Sequence, residues 1–113
     1  MRINDMAFDA ARNSAAHGFH DDLRTCPPPQ AMATRCMLLV TEVAELTEAY
    51  RRGMGQAPDS HCPELTAEEA EMADIAIRLG DMAATREIDL ERAIRIKMAY
   101  NRSRPVKHGN KLF

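Results

Sequence analysis

The 113 residues are enough for one domain, read as a single unit over 1–113, and leave no room for a second. Apolar residues make up 45% of the chain, which supports a packed core, and the formal net charge of −2 with acids and bases interleaved gives no global electrostatic reason to expect nucleic acid as a partner. No run has the length of a membrane span, the first residues lack the apolar block of a signal peptide, and Cys26, Cys36 and Cys62 cannot pair completely, so a reducing cytoplasm is the expected setting.

Turn-forming residues divide the chain into four helical stretches. The first is expected over about residues 4–17, stopping at Gly18. A loop with Phe19, His20, Asp21 and Asp22 and the rigid Cys26-Pro27-Pro28-Pro29 run leads to a second helix over about residues 30–52, which ends at Gly53-Met54-Gly55. After a loop holding Pro58 and Pro63, Thr66 and Glu69 have the spacing of a capping box and open a third helix that reaches about Thr85. Asp89 is placed to cap a fourth, with Ile88 as a hydrophobic staple, running to about Asn101; Pro105 ends it before a basic tail over 107–111, a short run that reads as a solvated terminus. No segment alternates with period two for long enough to make a strand, so the expected fold is all-α. The second and third helices are apolar around most of their circumference, more than a thin bundle can bury, which predicts completion of a four-helix bundle by dimerisation.

Chemistry concentrates on the middle two helices. Glu42 and Glu45 lie three apart among Leu38, Leu39, Val43 and Leu46, so their side chains share a face. On the third helix, a narrow polar strip of Glu71, Asp74, Arg78 and Asp81 runs between apolar stripes. Like charges at that spacing repel by about 0.2–0.5 kcal/mol on an exposed helix and by more when partly buried. Two repelling pairs in apolar settings, separated by 25 intervening residues, therefore ask for a cation. An isolated Glu-x-x-Glu is ordinarily a solvated face, the reading given to Glu48, Glu64, Glu68 and Glu69. Packed antiparallel, the two helices can bring all four acids to one point, and hard oxygen ligands suit Mg²⁺ or Mn²⁺. A zinc site from His20, Cys26, His61 and Cys62 lacks paired ligand spacing, and a di-iron centre lacks its Glu-x-x-His motifs. On the fourth helix Lys97, Asn101 and Arg104 line one face beside Tyr100 and Arg102, a suitable surface for phosphate oxygens, while Ile94, Ile96 and Met98 are expected to hold the helix against the bundle.

These residues carry a resemblance. Thr41-Glu42-Val43-Ala44-Glu45-Leu46, then Glu71-Met72-Ala73-Asp74-Ile75, then Lys97-Met98-Ala99-Tyr100-Asn101-Arg102-Ser103-Arg104-Pro105 with His108-Gly109, resemble in order the signature blocks of MazG-type nucleoside triphosphate pyrophosphohydrolases. Asn13-Ser14-Ala15-Ala16-His17-Gly18-Phe19 is similar to the block that precedes them in small phage and bacterial members; the likeness omits the Pro-rich loop and residues 53–63. The resemblance implies a helical fold that forms dimers or tetramers, and hydrolysis of (deoxy)nucleoside triphosphates to monophosphate and pyrophosphate in nucleotide-pool house-cleaning. It implies Glu42, Glu45, Glu71 and Asp74 as Mg²⁺ ligands and Lys97, Asn101 and Arg104 near the phosphates; Tyr100, beside that strip, and Arg78, on the polar strip of the third helix, are further expected substrate contacts. Glu42 or Glu45 is the expected general base. The chain departs from many relatives at His20, where an aromatic residue is common, and it has no Trp. Two non-catalytic readings stand beside this one: a helical interaction protein, and a nucleotide-sensing regulator that retains the metal site.

Overall fold

The computed structural model describes residues 1–104; the Pro105 stop, the basic tail and His108-Gly109 lie outside the described residues. Four helices follow one another: α1 (Ile3–Ala16), α2 (Pro28–Arg51), α3 (Ala67–Thr85) and α4 (Leu90–Ser103), with one 3₁₀ turn, Asp21–Arg24, between α1 and α2. Among the described residues there is no strand, only an isolated antiparallel bridge between Pro58 and Thr66. The all-helical expectation is met, and among the described residues no helix is long and apolar enough to cross a membrane.

The helix ends explain where the elements stop. The amide of Phe19 donates to Ser14 O and that of Gly18 to Ala15 O, closing α1 in a Schellman turn with Gly18 at φ +83°. The amides of Met54 and Gly53 close α2 in the same way on Ala49 O and Tyr50 O, and those of Ile88 and Glu87 close α3 on Ala83 O and Ala84 O. Glu87, at φ +56°, occupies the left-handed position that Gly18 and Gly53 fill at the other two ends. The start of α2 falls earlier than expected because Pro28 and Pro29 are tolerated in a first helical turn, where their missing N–H groups have no partner to lose. Thr66 and Glu69 form the full capping box of α3, and Asp89 accepts from the amide of Arg92 to cap α4. Ile88, expected as a staple, is half exposed.

α3 is the spine, packed against α1 on one side and α2 on the other, while α4 lies chiefly on α1. The α1–α3 seam is made of small residues: Ala7, Ala10, Gly80 and Ala83 are buried. A Cβ on Gly80 would stand 3.0 Å from Met6 Sδ and 3.1 Å from Ala7 Cα, so the missing side chain is what lets the two helices cross this closely. α4 is fastened at its beginning rather than along its length. Ile3 N donates to Glu91 Oε1 at 3.0 Å, Asn4 Nδ2 to Asp89 Oδ1 at 2.8 Å, and Glu91 N to Asn4 Oδ1 at 3.1 Å. Ile94 is partly covered, but Ile96 and Met98 are about half exposed and do not hold α4 to the bundle as expected.

Among the described residues the buried apolar core consists of Ala7, Ala10, Ala31 and Ala83, and no large side chain is fully buried. Met37, Val40, Val43, Met72, Ile77 and Leu79 remain substantially exposed on α2 and α3.

Candidate metal centre

α2 presents one continuous stripe to its neighbours: Ala31, Arg35, Leu38, Glu42 and Glu45, spaced to share a face. Its three buried positions are Ala31, Arg35 and Glu42, two of them charged. Each of the charged pair is compensated. Arg35 donates to both carboxylate oxygens of Asp22 at 2.9 Å, to Phe19 O at 2.9 Å and to Ala31 O at 3.1 Å, which ties the 3₁₀ turn to α2. That guanidinium also holds the Asp22 carboxyl below the usual carboxylate range. Glu42 accepts from Arg78 Nε of α3 at 2.5 Å.

Below that ion pair the acids converge. Glu42 and Glu45 from α2 and Glu71 from α3 each offer a carboxylate oxygen within 4.8 Å of the others, and Glu71 Oε2 is buried with no hydrogen-bond partner. Burial raises the Glu71 carboxyl above its ordinary value, and the neighbouring Glu45, Asp74 and Glu42 push the same way. Asp74 is also raised, by burial first and then by Glu42 and Asp59, while Arg78 opposes the rise. Repelling carboxylates around an unpartnered buried oxygen are costly to ionise alone, and three carboxylate oxygens this close could hold a divalent cation. Of the four expected ligands the structure thus gathers Glu42, Glu45 and Glu71. Asp74 borders the same space as Glu42 but stands outside the three-carboxylate group.

Two cavities flank the cluster, sharing Glu42, Asp74 and Ile77. The first, about 570 Å³, lies between the end of α1, α2 and α3, and has Phe19, Leu38, Ile77 and Met82 among its walls with Asn13 and Ser14 at its edge. Apart from Asp74, its charged groups are already paired: Asp22 with Arg35, Glu42 with Arg78, and Asp81 with His20 Nε2 at 2.7 Å. The second, about 530 Å³, is lined by Glu45 and Glu71 together with residues 59–62 of the loop before α3.

No family model, curated protein or solved structure matches this chain.

Lys97, Tyr100, Asn101 and Arg104 line neither cavity. They lie exposed on α4 and, for Arg104, at its C-cap, where Lys97 Nζ sits 5.0 Å and Arg104 Cζ 5.9 Å from the centre of the Tyr100 ring. Within one chain the expected phosphate strip is therefore not brought to the acids. Arg78 does reach the site, but as the counter-charge of Glu42 rather than as a free donor. His20, His61 and Cys62 are divided between the cavities' surroundings and belong to no shared ligand group with Cys26.

Sequence reasoning passed over Arg35, because a lone Arg in an apolar stripe looks solvated until its partner on a loop 13 residues away is known. It likewise missed the His20–Asp81 pair, separated by 61 residues, and the 59–62 wall of the second cavity. No local spacing announces any of the three.

Proposed function

We propose that this protein is a MazG-type pyrophosphohydrolase that hydrolyses (deoxy)nucleoside triphosphates to the monophosphate and pyrophosphate in nucleotide-pool house-cleaning. The observation that carries the reading is the convergence of Glu42, Glu45 and Glu71 around a buried, unpartnered Glu71 Oε2. Glu42, Glu45 and Glu71 would hold Mg²⁺ or Mn²⁺, with Asp74 at the rim. Bound there, the cation supplies Lewis acidity at the phosphate oxygens and at the attacking water. Either Glu42 or Glu45 would serve as general base in place of a direct ligand, taking a proton from that water. The water oxygen then forms its bond to the α-phosphorus as the bond to the bridging oxygen breaks, and pyrophosphate leaves.

The same reading calls for a second copy. Among the described residues alanines are the only buried apolar side chains, and with Met37, Val40, Val43 and Met72 exposed, one copy covers little of its own apolar surface. A homodimer, or a dimer of dimers, completes the four-helix bundle and brings α4 of one copy, with Lys97, Asn101 and Arg104, to the acids of the other. Tyr100 would accompany them as a flat surface for substrate.

One assay tests the reading: pyrophosphate release from a panel of ribo- and deoxyribonucleoside triphosphates, with Mg²⁺, with Mn²⁺ and with a chelator. Metal-dependent release is expected from at least one nucleotide, and none from any of them would end the enzyme reading. Arg78 favours a second reading, a nucleotide-sensing regulator, because it already neutralises Glu42. Thermal stabilisation by nucleotide with Mg²⁺, but no pyrophosphate release, would select it. Dimerisation with neither effect would select a helical interaction protein.

A further inference from the structure

The segment between α1 and α2 is tied to three helices, and each tie is made differently. To α1 it is held by backbone, through Phe19 N on Ser14 O at 3.0 Å. To α2 it is held by Arg35, which donates to Phe19 O and to both carboxylate oxygens of Asp22 at 2.9 Å. To α3, among the described residues, its hydrogen bonds run through one side chain. His20 Nε2 lies 2.7 Å from Asp81 Oδ1 and 3.5 Å from Thr85 Oγ1, and Thr85 Oγ1 donates to the same Asp81 oxygen at 3.2 Å. An ionised carboxylate only accepts, so His20 Nε2 carries a proton and donates it to this bond. Both side chains are mostly shielded from solvent, where such a bond is little weakened by water.

These ties stand around the first cavity. Gly18, Phe19 and Asp22 of the segment border it, and so do Arg35 and Asp81, the groups that hold the segment from α2 and α3. Of the two cavities beside the acid cluster, it is also the one that repels an anionic substrate less. Arg35 and Arg78 border it, whereas Glu42, Glu45, Asp59, Glu71 and Asp74 border the second and no Lys or Arg does. With the ties to α1 and α2 in place, loss of the His20 bond frees the segment from α3 alone. The fold persists, and the wall that Gly18, Phe19 and Asp22 form loses its fixed position against α3.

We propose that His20 is a positioning residue, whose bond to Asp81 holds this wall against α3 so that the first cavity has its shape before a nucleotide arrives. This rests on the pyrophosphohydrolase reading and adds to it a residue that touches neither metal nor substrate. A wall already in place spares the substrate the cost of ordering it. When the wall is in place only part of the time, apparent affinity falls in proportion to that fraction. The acids that carry the chemistry lie on α2 and α3, so turnover of substrate already seated is little altered.

The test is steady-state kinetics of the full chain and of His20→Ala and His20→Gln, with Mg²⁺ and whichever nucleoside triphosphate of the panel is cleaved fastest. Calorimetric titration with the α,β-methylene analogue of that nucleotide reads binding without turnover, and circular dichroism reads helicity. His20→Ala is expected to raise KM and to weaken analogue binding about tenfold, the scale of one hydrogen bond to a charged group, with kcat within about twofold of the parent. His20→Gln places an amide N–H near the position of Nε2 and is expected to recover most of the loss. Unchanged KM and analogue affinity in His20→Ala, a fall in kcat without a rise in KM, or no recovery in His20→Gln overturns the positioning role and leaves the enzyme reading standing. Loss of helicity in both variants overturns it too, by making His20 a support of the whole fold. Failure of the unaltered protein to cleave any nucleotide and to bind any analogue overturns both.

Discussion

α3 has two seams, and they are built on opposite principles. Toward α1 it presents Gly80 and Ala83 to Ala7 and Ala10, and the helices close until a single added methyl would meet backbone. Toward α2 it presents Glu71, Asp74 and Arg78 to Glu42 and Glu45, and charge occupies the space that apolar side chains fill in an ordinary bundle. A seam of repelling carboxylates opposes packing. It can persist here because the small-residue seam on the other side fixes α3, and because Arg78 offsets one of the charges. Stability and chemistry are thus divided between two faces of one helix.

The sharpest way to break this division is to neutralise the acid seam alone. Glu42→Gln and Glu71→Gln keep side-chain shape and remove a ligand charge, so metal-dependent pyrophosphate release should fall by at least about a hundredfold in each. Helicity should be retained, because the α1 seam is untouched; circular dichroism beside the release assay reads both. Full activity in both variants would show that the cluster is not the reaction centre. The converse break is Gly80→Val. Forcing a branched side chain against Met6 and the Ala7 backbone should cost about 1–3 kcal/mol in chemical denaturation. Catalysis by the fraction that remains folded should be little changed. If this variant were as stable as the parent, the close crossing of α1 and α3 would not be what fixes the spine.

The two seams also differ in how far the sequence discloses them. The acid seam was legible because like charges at helical spacing inside apolar stripes are costly and therefore conspicuous, as at Glu42, Glu45, Glu71 and Asp74. The helix ends were legible for a related reason: around Gly18, Gly53, Thr66 and Asp89 the backbone groups are satisfied by residues three to five positions away. The close seam was not, since Gly80 in the middle of a helix reads as a weak position until Ala7 of another helix is seen against it. α4 shows the limit most clearly. Its periodicity groups Lys97, Asn101 and Arg104 on one face, but no periodicity says which surface that face will meet, and within one chain it meets none of the acids.

The finest test of the acid seam is a pH comparison. Glu71 is raised in the folded chain, mainly by burial and then by Glu45, so its protonated form is favoured on folding. Its contribution to stability is therefore complete below the unfolded carboxylate range and is lost as pH rises through the raised folded value. Glu71→Gln does not titrate and escapes that loss. With divalent ions chelated, the variant and the parent should melt alike in acid, and the variant should become the more stable as pH approaches neutrality. Asp22, Asp59, Glu69 and Asp89 are shifted the opposite way, but they are common to both proteins and cancel in the difference. Excess Mg²⁺ should reverse the order at neutral pH, because the ionised carboxylate that burdens the metal-free fold is the form a cation binds. A difference that stays flat across the pH series would mean that Glu71 carries no uncompensated charge, and the acid seam would then need no cation to hold it.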